Sequence, residues 1–254
     1  MRLFLTALLG ASLLTALPGT SQAAPPGYRP LRHYYTPSQQ PYHRLPVRLT
    51  FGPNLAYYNG DIADKLKNNT LRMGLGLGLT QSLSPHLTYG LELSYIKLKA
   101  TDQAPGRGYS FASTNGLLTT FLRYNLNADK SMYFGLNNRP TPVLAFLQAG
   151  VGALLNNPTA SQQTADGVIA LAPERIGGYP TLAAVLPVGG GVTLRASRSL
   201  HFTLEGLYYF TSTDLLDDIS QRGNPKSNDD FATVALKIEY AFYKKHGKSL
   251  VHND

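Results

Sequence analysis

The chain has 254 residues, no cysteine and only 15% charged residues, with a formal net charge of +8 at pH 7. Without cysteine there is neither a disulfide nor a thiolate metal site, and the length allows one large β domain as readily as two small ones. A soluble domain carries about 25% charged residues, yet beyond the first 23 positions no apolar run approaches the ~18 residues of a membrane helix.

At the start, Arg2 precedes an apolar run from Leu3 to Leu17, broken by Pro18-Gly19 and followed by the small-x-small pattern Ser21-Gln22-Ala23. This predicts a cleaved signal peptide over 1–23 and export of the mature chain. Residues 24–46 are rich in Pro and Tyr and carry Arg29, Arg32 and Arg44 with no acid. They lack a period and are expected to form an extended linker. Alternating segments follow, separated by turn chemistry: strands are predicted at 47–58, 71–80, 87–98, 116–126, 143–154, 183–195, 201–211 and 231–242. Most have the length that crosses a bilayer when tilted. The connections at 81–86 and 196–199 are short, and those at 59–70, 99–115, 155–182 and 212–230 are long. That alternation is the pattern of an outer-membrane barrel. Segment 127–142 breaks it, being long where a tight turn is expected; it either extends its flanking strands or caps that end. Residues 243–254 form a basic tail with Lys244, Lys245 and Lys248.

Side chains alternate between faces along a strand. One parity collects Leu49, Phe51 and Leu55, then Leu71, Met73, Leu75, Leu77 and Leu79, then Leu91, Leu93, Leu122, Leu204 and Leu236, with aromatics such as Tyr57, Tyr89, Tyr95, Tyr124, Phe202, Tyr208, Phe210, Tyr240 and Phe242 towards strand ends. The other parity collects Arg48, Arg72, Glu92, Arg123, Arg195, Glu205, Lys237 and Glu239, with Gly and Thr between. A soluble, lipocalin-like barrel would put the first set inside. Aromatic girdles around an aliphatic band point instead to a lipid-facing wall. The second set is then an interior network of ion pairs, and the alternate glycines of 71–80 leave room for Glu92 and Arg72. The predicted fold is all-β, an eight-stranded antiparallel up-and-down transmembrane barrel over 47–242. An interior of that size is filled by side chains, so a diffusion porin is disfavoured.

Chemistry-bearing clusters are sparse. Asp214, Asp217 and Asp218 in one long loop offer carboxylates to a Ca²⁺ or Mg²⁺ ion bridging to lipopolysaccharide; without EF-hand spacing, solvated or loop-capping aspartates are the favoured reading. His86 with Ser84 and His201 with Ser199 lie in tight turns with no acid nearby to orient them, which favours turns over a nucleophilic site. His33, His43, His246 and His252 are dispersed over the terminal segments. No catalytic residue, resident metal or cofactor is expected.

The stretches AYYNGDI (56–62), RPTPVLAFLQAGVG (139–152), LPVGGGVTL (186–194) and YYFTSTDLLDDIS (208–220) together resemble a family of uncharacterised outer-membrane β-barrel proteins of Gram-negative bacteria, a domain of unknown function architecturally like the small OmpA/OmpX-type barrels. The resemblance implies a compact outer-membrane barrel and supplies no activity. Two features depart from it: the length of 24–46, and a tail after Phe242, where many such barrels end on the aromatic residue. The expectation is a non-enzymatic barrel with periplasmic termini, serving envelope integrity or surface interaction through its long loops. Its expected partners are outer-membrane lipids, lipopolysaccharide, the barrel-assembly machinery and cell-wall polymer, with no nucleic acid. The alternatives are a narrow-channel transport or ligand-binding barrel and an outer-membrane lipid-modifying enzyme.

Overall fold

A computed structural model describes residues 33–59, 69–102, 108–135, 139–164, 167–171, 182–212 and 229–242. The expected signal peptide, the basic tail and the loop aspartates Asp214, Asp217 and Asp218 lie outside them. Eight long strands form the wall: β3 (Arg48–Asn59), β4 (Arg72–Ser82), β5 (Leu87–Thr101), β6 (Tyr109–Asn125), β7 (Val143–Leu155), β10 (Leu182–Arg195), β11 (Leu200–Thr211) and β12 (Asp230–Ala241). Between β7 and β10 stand the shorter β8 (Pro158–Thr164) and β9 (Gly167–Ala170), and before the wall come β1 (Tyr34–Tyr35) and β2 (Pro41–Tyr42). Each wall strand pairs antiparallel with its neighbours in sequence, and β12 pairs with β3 from Ala241↔Arg48 to Asp230↔Asn59. That last pairing removes both edges, so the sheet is a closed eight-stranded up-and-down barrel.

The alternation decides which face is which. In β4, Leu75, Leu77 and Leu79 are 47–49% exposed on the outside while Gly74, Gly76 and Gly78 are buried. The outward face continues around the barrel through Leu91, Leu93, Leu122, Leu147, Leu204 and Leu236. Tyr89, Tyr124, Phe202, Tyr240 and Phe242 ring its turn end, and Tyr57, Tyr95, Tyr208 and Phe210 its loop end. Soluble monomers rarely expose a contiguous apolar patch beyond a few hundred Å²; a wall that is apolar all round belongs in hydrocarbon.

Of three regions, two differ from the expectation and one, 127–142, takes one of its two expected forms. The described part of 24–46 is no plain extended linker. Its strands β1 and β2 form a hairpin whose turn closes through Thr36 and Gln39–Gln40, Gln39 taking φ of 61°. Tyr34 stacks on Tyr42 at 5.7 Å, and the Arg44 guanidinium lies 4.5 Å over the Tyr34 ring, so stacking supplies the order that no periodicity announces. Second, 127–142 caps the turn end: a single 3-10 turn, Lys130–Met132, buries Met132, and residues 132–134 bond to Pro41 and His43. Third, β6 starts at Tyr109, seven residues before the predicted strand, because Tyr109–Ser113 pairs with β5 on one side and β8 on the other. The loop expected over 155–182 thus holds a hairpin, β8–β9, laid on that extension.

Candidate functional site: the ionic ladder inside the barrel

Inward-facing positions near the middle of the wall bring six charged side chains together. Arg123 on β6 reaches across the bore, donating from Nη1 to Glu239 Oε1 and from Nη2 to Glu205 Oε2, both at 3.1 Å. Its Nε donates to Gln148 Oε1 at 3.1 Å, and its plane lies 4.0 Å over the Phe146 ring. Lys237 on β12 donates to Glu205 on the adjacent strand and, across the bore, to Glu92 on β5. Arg48 Nε on β3 stands 3.1 Å from Glu239 Oε2, an ion pair without hydrogen-bond alignment, while its Nη2 donates to Ser82 Oγ at 3.3 Å.

The result is a chain of alternating sign: Arg48, Glu239, Arg123, Glu205, Lys237, Glu92. Three cations face three carboxylates, all six buried, so the ladder is neutral. Neutrality is what makes it tolerable, since an ion removed from water is costly unless paired and hydrogen-bonded. Hydroxyls complete it. Ser94 Oγ donates to Glu92 at 2.8 Å, Thr203 Oγ1 donates to Glu239 at 2.7 Å, and Thr193 stands 2.8 Å from Thr203. Every wall strand thereby contributes a group, β4 through Ser82, β7 through Gln148 and β10 through Thr193.

The glycines make the space. A Cβ on Gly76 would stand 2.9 Å from Glu92 Oε1, and one on Gly90 would stand 2.2 Å from the Phe121 ring, its register partner across β5 and β6.

Two residues expected in this network stand elsewhere. Arg72 has the inward parity but lies exposed at the end of β4, opposite Ala56, with no ion pair among the described residues. Parity fixes a face and not a height, and Arg72 stands above the enclosed bore. The glycines of β4 therefore make room for Glu92 and not for Arg72. Arg195 forms a separate pair at the turn end, its Nη2 donating to Asp129 Oδ2 at 2.7 Å. Asp129 also accepts from Ser131 N and Oγ, capping the 3-10 turn. Sequence reasoning missed Asp129, which sits in an aperiodic segment.

It also missed the upper interior. Tyr58, Ile96, Leu98, Phe111, Tyr209 and Phe231 share the inward parity and pack as an apolar cluster at the loop end. The bore is thus filled in three layers: apolar above, ionic in the middle, and Met132 with the Asp129–Arg195 pair below. The histidine–serine turns are structural where they can be read. Ser84 Oγ accepts from Leu87 N, and the His86 ring stands 2.8 Å from Asn125 O. His201 is buried between its register partners Arg195 and Glu239, and neither ring nitrogen has a hydrogen-bond partner among the described residues.

Charges face in, and a belt compatible with hydrocarbon faces out. The fold is a transmembrane β-barrel.

No family model matches the chain, and no curated protein matches its sequence. Among solved structures it is similar to Neisserial surface protein A, at 10% identity and a TM-score of 0.40, covering 78% of this chain and 99% of that one. It is also similar to Ail, the attachment invasion locus protein of Yersinia pestis, at 11% identity and 0.42, covering 78% and 99%. The N-terminal β-barrel domain of Pseudomonas aeruginosa OprF aligns at 7% identity and 0.38, covering 78% and all of that chain.

Proposed function

We propose that this protein is a sealed, non-enzymatic barrel of the outer membrane, with its termini and short turns in the periplasm and its long loops outside. It serves the envelope as a rigid membrane element and a surface for contacts made by the loops. The observation that carries this reading is the double crossing of the bore: Arg123 ties β6 to β11 and β12, and Lys237 ties β12 to β5. An ion moving along the axis would have to break a neutral, buried ladder and then pass the apolar layer above it. The orientation is supported by the alternation of short turns and long connections.

The test is planar-bilayer conductance of the purified mature barrel, run on material that shifts in mobility between unheated and heated SDS gels. The expected result is a heat-modifiable band and no unitary current. Resolved single-channel steps would replace this reading with a narrow transport barrel. A change in lipid A acylation on gene deletion would replace it with a lipid-modifying enzyme.

A further inference from the structure

The charge of the chain is shared unevenly between the two ends of the barrel. The six ladder ions cancel. The loop-end segments 59–72, 97–111, 155–182 and 212–230 hold ten acidic residues and nine basic ones. The segments that enter, join or leave the wall strands at the turn end, 33–47, 81–86, 126–142, 195–200 and 242–254, hold eight basic residues and two acidic ones. Of those two acids, Asp129 is buried and held by Arg195. Arg44, Lys130 and Arg139 are exposed at this end, and no ion pair among the described residues engages them. Arg44 lies over the Tyr34 ring, a contact that leaves its charge in place.

The height of these cations follows from the strands that carry them. Val47, Leu126 and Val143 are exposed apolar residues at the turn-end edge of the outward belt. Arg44 comes three residues before Val47, Lys130 four after Leu126, and Arg139 four before Val143. The aromatic ring of Tyr89, Tyr124, Phe202, Tyr240 and Phe242 marks that edge as a membrane–water interface. Headgroups occupy about 5–8 Å beyond the hydrocarbon on each side, and charges attract one another over a Debye length of about 8 Å at physiological salt. We infer that the turn end is a docking surface for acidic phospholipid headgroups of the phosphatidylglycerol type, gathered around the barrel by Arg44, Lys130 and Arg139. A basic residue near an anionic lipid surface favours it by about fivefold, whereas a zwitterionic headgroup brings an ammonium of its own. Anionic wall polymer shares the charge, but cations this close to the belt meet headgroups first. The inference rests on the orientation proposed above for one point alone, that the leaflet is the periplasmic one.

The experiment places the purified mature barrel in phosphatidylcholine vesicles. Electron spin resonance then measures how much spin-labelled phosphatidylglycerol or phosphatidylcholine is held at its surface. Phosphatidylglycerol is expected to associate about twofold more strongly at low salt, an average over lipids that meet a cation and lipids that do not. Salt at about 1 M should abolish the preference, the Debye length there being about 3 Å. The triple variant Arg44→Gln, Lys130→Gln, Arg139→Gln should lose at least half of it. Arg44→Lys with Arg139→Lys, which keeps the charges, should retain it, as should the loop-end set Arg72→Gln, Lys97→Gln, Lys99→Gln. Equal association of the two lipids at low salt overturns the inference, as does a preference that survives high salt or is undiminished in the triple variant. Loss in the loop-end set instead overturns the assignment to the turn end. Sedimentation of the detergent-solubilised barrel with purified peptidoglycan, lost in the triple variant and found without any lipid preference, gives the surface to wall polymer instead. Lipid association is read whichever way the barrel inserts, and conductance tests the sealed bore separately, so failure of one leaves the other standing.

Discussion

Removing the central cation of the ladder tests its energetics most directly. Arg123 stands 3.1 Å from each of two carboxylates. At an effective dielectric of about 20, each contact is worth about 5 kcal/mol of gross attraction. Desolvation of the buried ions takes back several kcal/mol per group, and breaking such a cluster by losing one partner costs about 3–5 kcal/mol. Arg123→Met leaves Arg48 and Lys237 against Glu92, Glu205 and Glu239, one buried negative charge in excess. Adding Glu205→Gln restores neutrality, because Arg48 keeps Glu239 and Lys237 keeps Glu92. The single variant is therefore expected to lose about 3–5 kcal/mol, and the double variant to recover about 2 kcal/mol of it. Urea unfolding in lipid vesicles measures this, with the folded fraction read as the fast-migrating band on unheated gels. Strictly additive costs for Arg123→Met and Glu205→Gln would refute a coupled, charge-balanced ladder, as would an Arg123→Met barrel as stable as the parent.

Gly90→Ala puts a methyl group into the Phe121 ring and is expected to cost about 1–3 kcal/mol in the same assay; Phe121→Leu in the same chain should relieve part of that cost. Leu77→Arg, on the outward face between Phe51 and Leu93, is expected to cost about 2–4 kcal/mol if it lies at the bilayer midplane, measured as a lower urea midpoint for the vesicle-embedded protein. Asp129→Ala removes the partner of Arg195 and the cap on Lys130–Met132. The cap alone is worth about 1 kcal/mol. Hydrogen exchange should quicken over 128–134 while amides beside Glu205 and Lys237 keep their protection.

Much of the barrel was legible because the side-chain period of a strand is short and unforgiving. A run such as Leu75-Gly76-Leu77-Gly78-Leu79 sits sensibly only in a strand, and the eight predicted strands coincide with the wall to within a few residues, apart from the early start of β6. The ladder was legible as a set, since Arg48, Glu92, Arg123, Glu205, Lys237 and Glu239 share one parity in a chain that spends few charges. Its pairing was not legible. Arg123 meets Glu205 and Glu239 across the bore, and contact between non-adjacent strands depends on barrel closure. Height along the axis was equally hidden, which is how Arg72 came to be grouped with residues it never approaches.

The upper apolar layer left a signal that sorting by charge passed over: Ile96, Leu98 and Ala100 carry the apolar pattern onto the inward parity at the end of β5. The β8–β9 hairpin also left one. The sequence pair Asp-Gly at 166–167 is one that favours hairpin turns, and Gly167 adopts φ of 129°. Asp129 had no periodic neighbour to give it a face.

Placing Lys237 and Glu239 on the last strand has a consequence for how the molecule is made. β12 must zip onto β3 and β11 to finish the barrel, and many offsets would satisfy its backbone. A slip of one residue turns both charges to the lipid, where a lysine costs about 2–4 kcal/mol near the midplane and a glutamate less. A slip of two keeps them inside but carries Lys237 about 7 Å from Glu92, stranding a carboxylate on one wall and an ammonium beside the wrong neighbour. Only one alignment of the final strand neutralises charges already waiting on β3, β5, β6 and β11. Misaligned closures are thereby penalised by the same electrostatics that hold the finished barrel together.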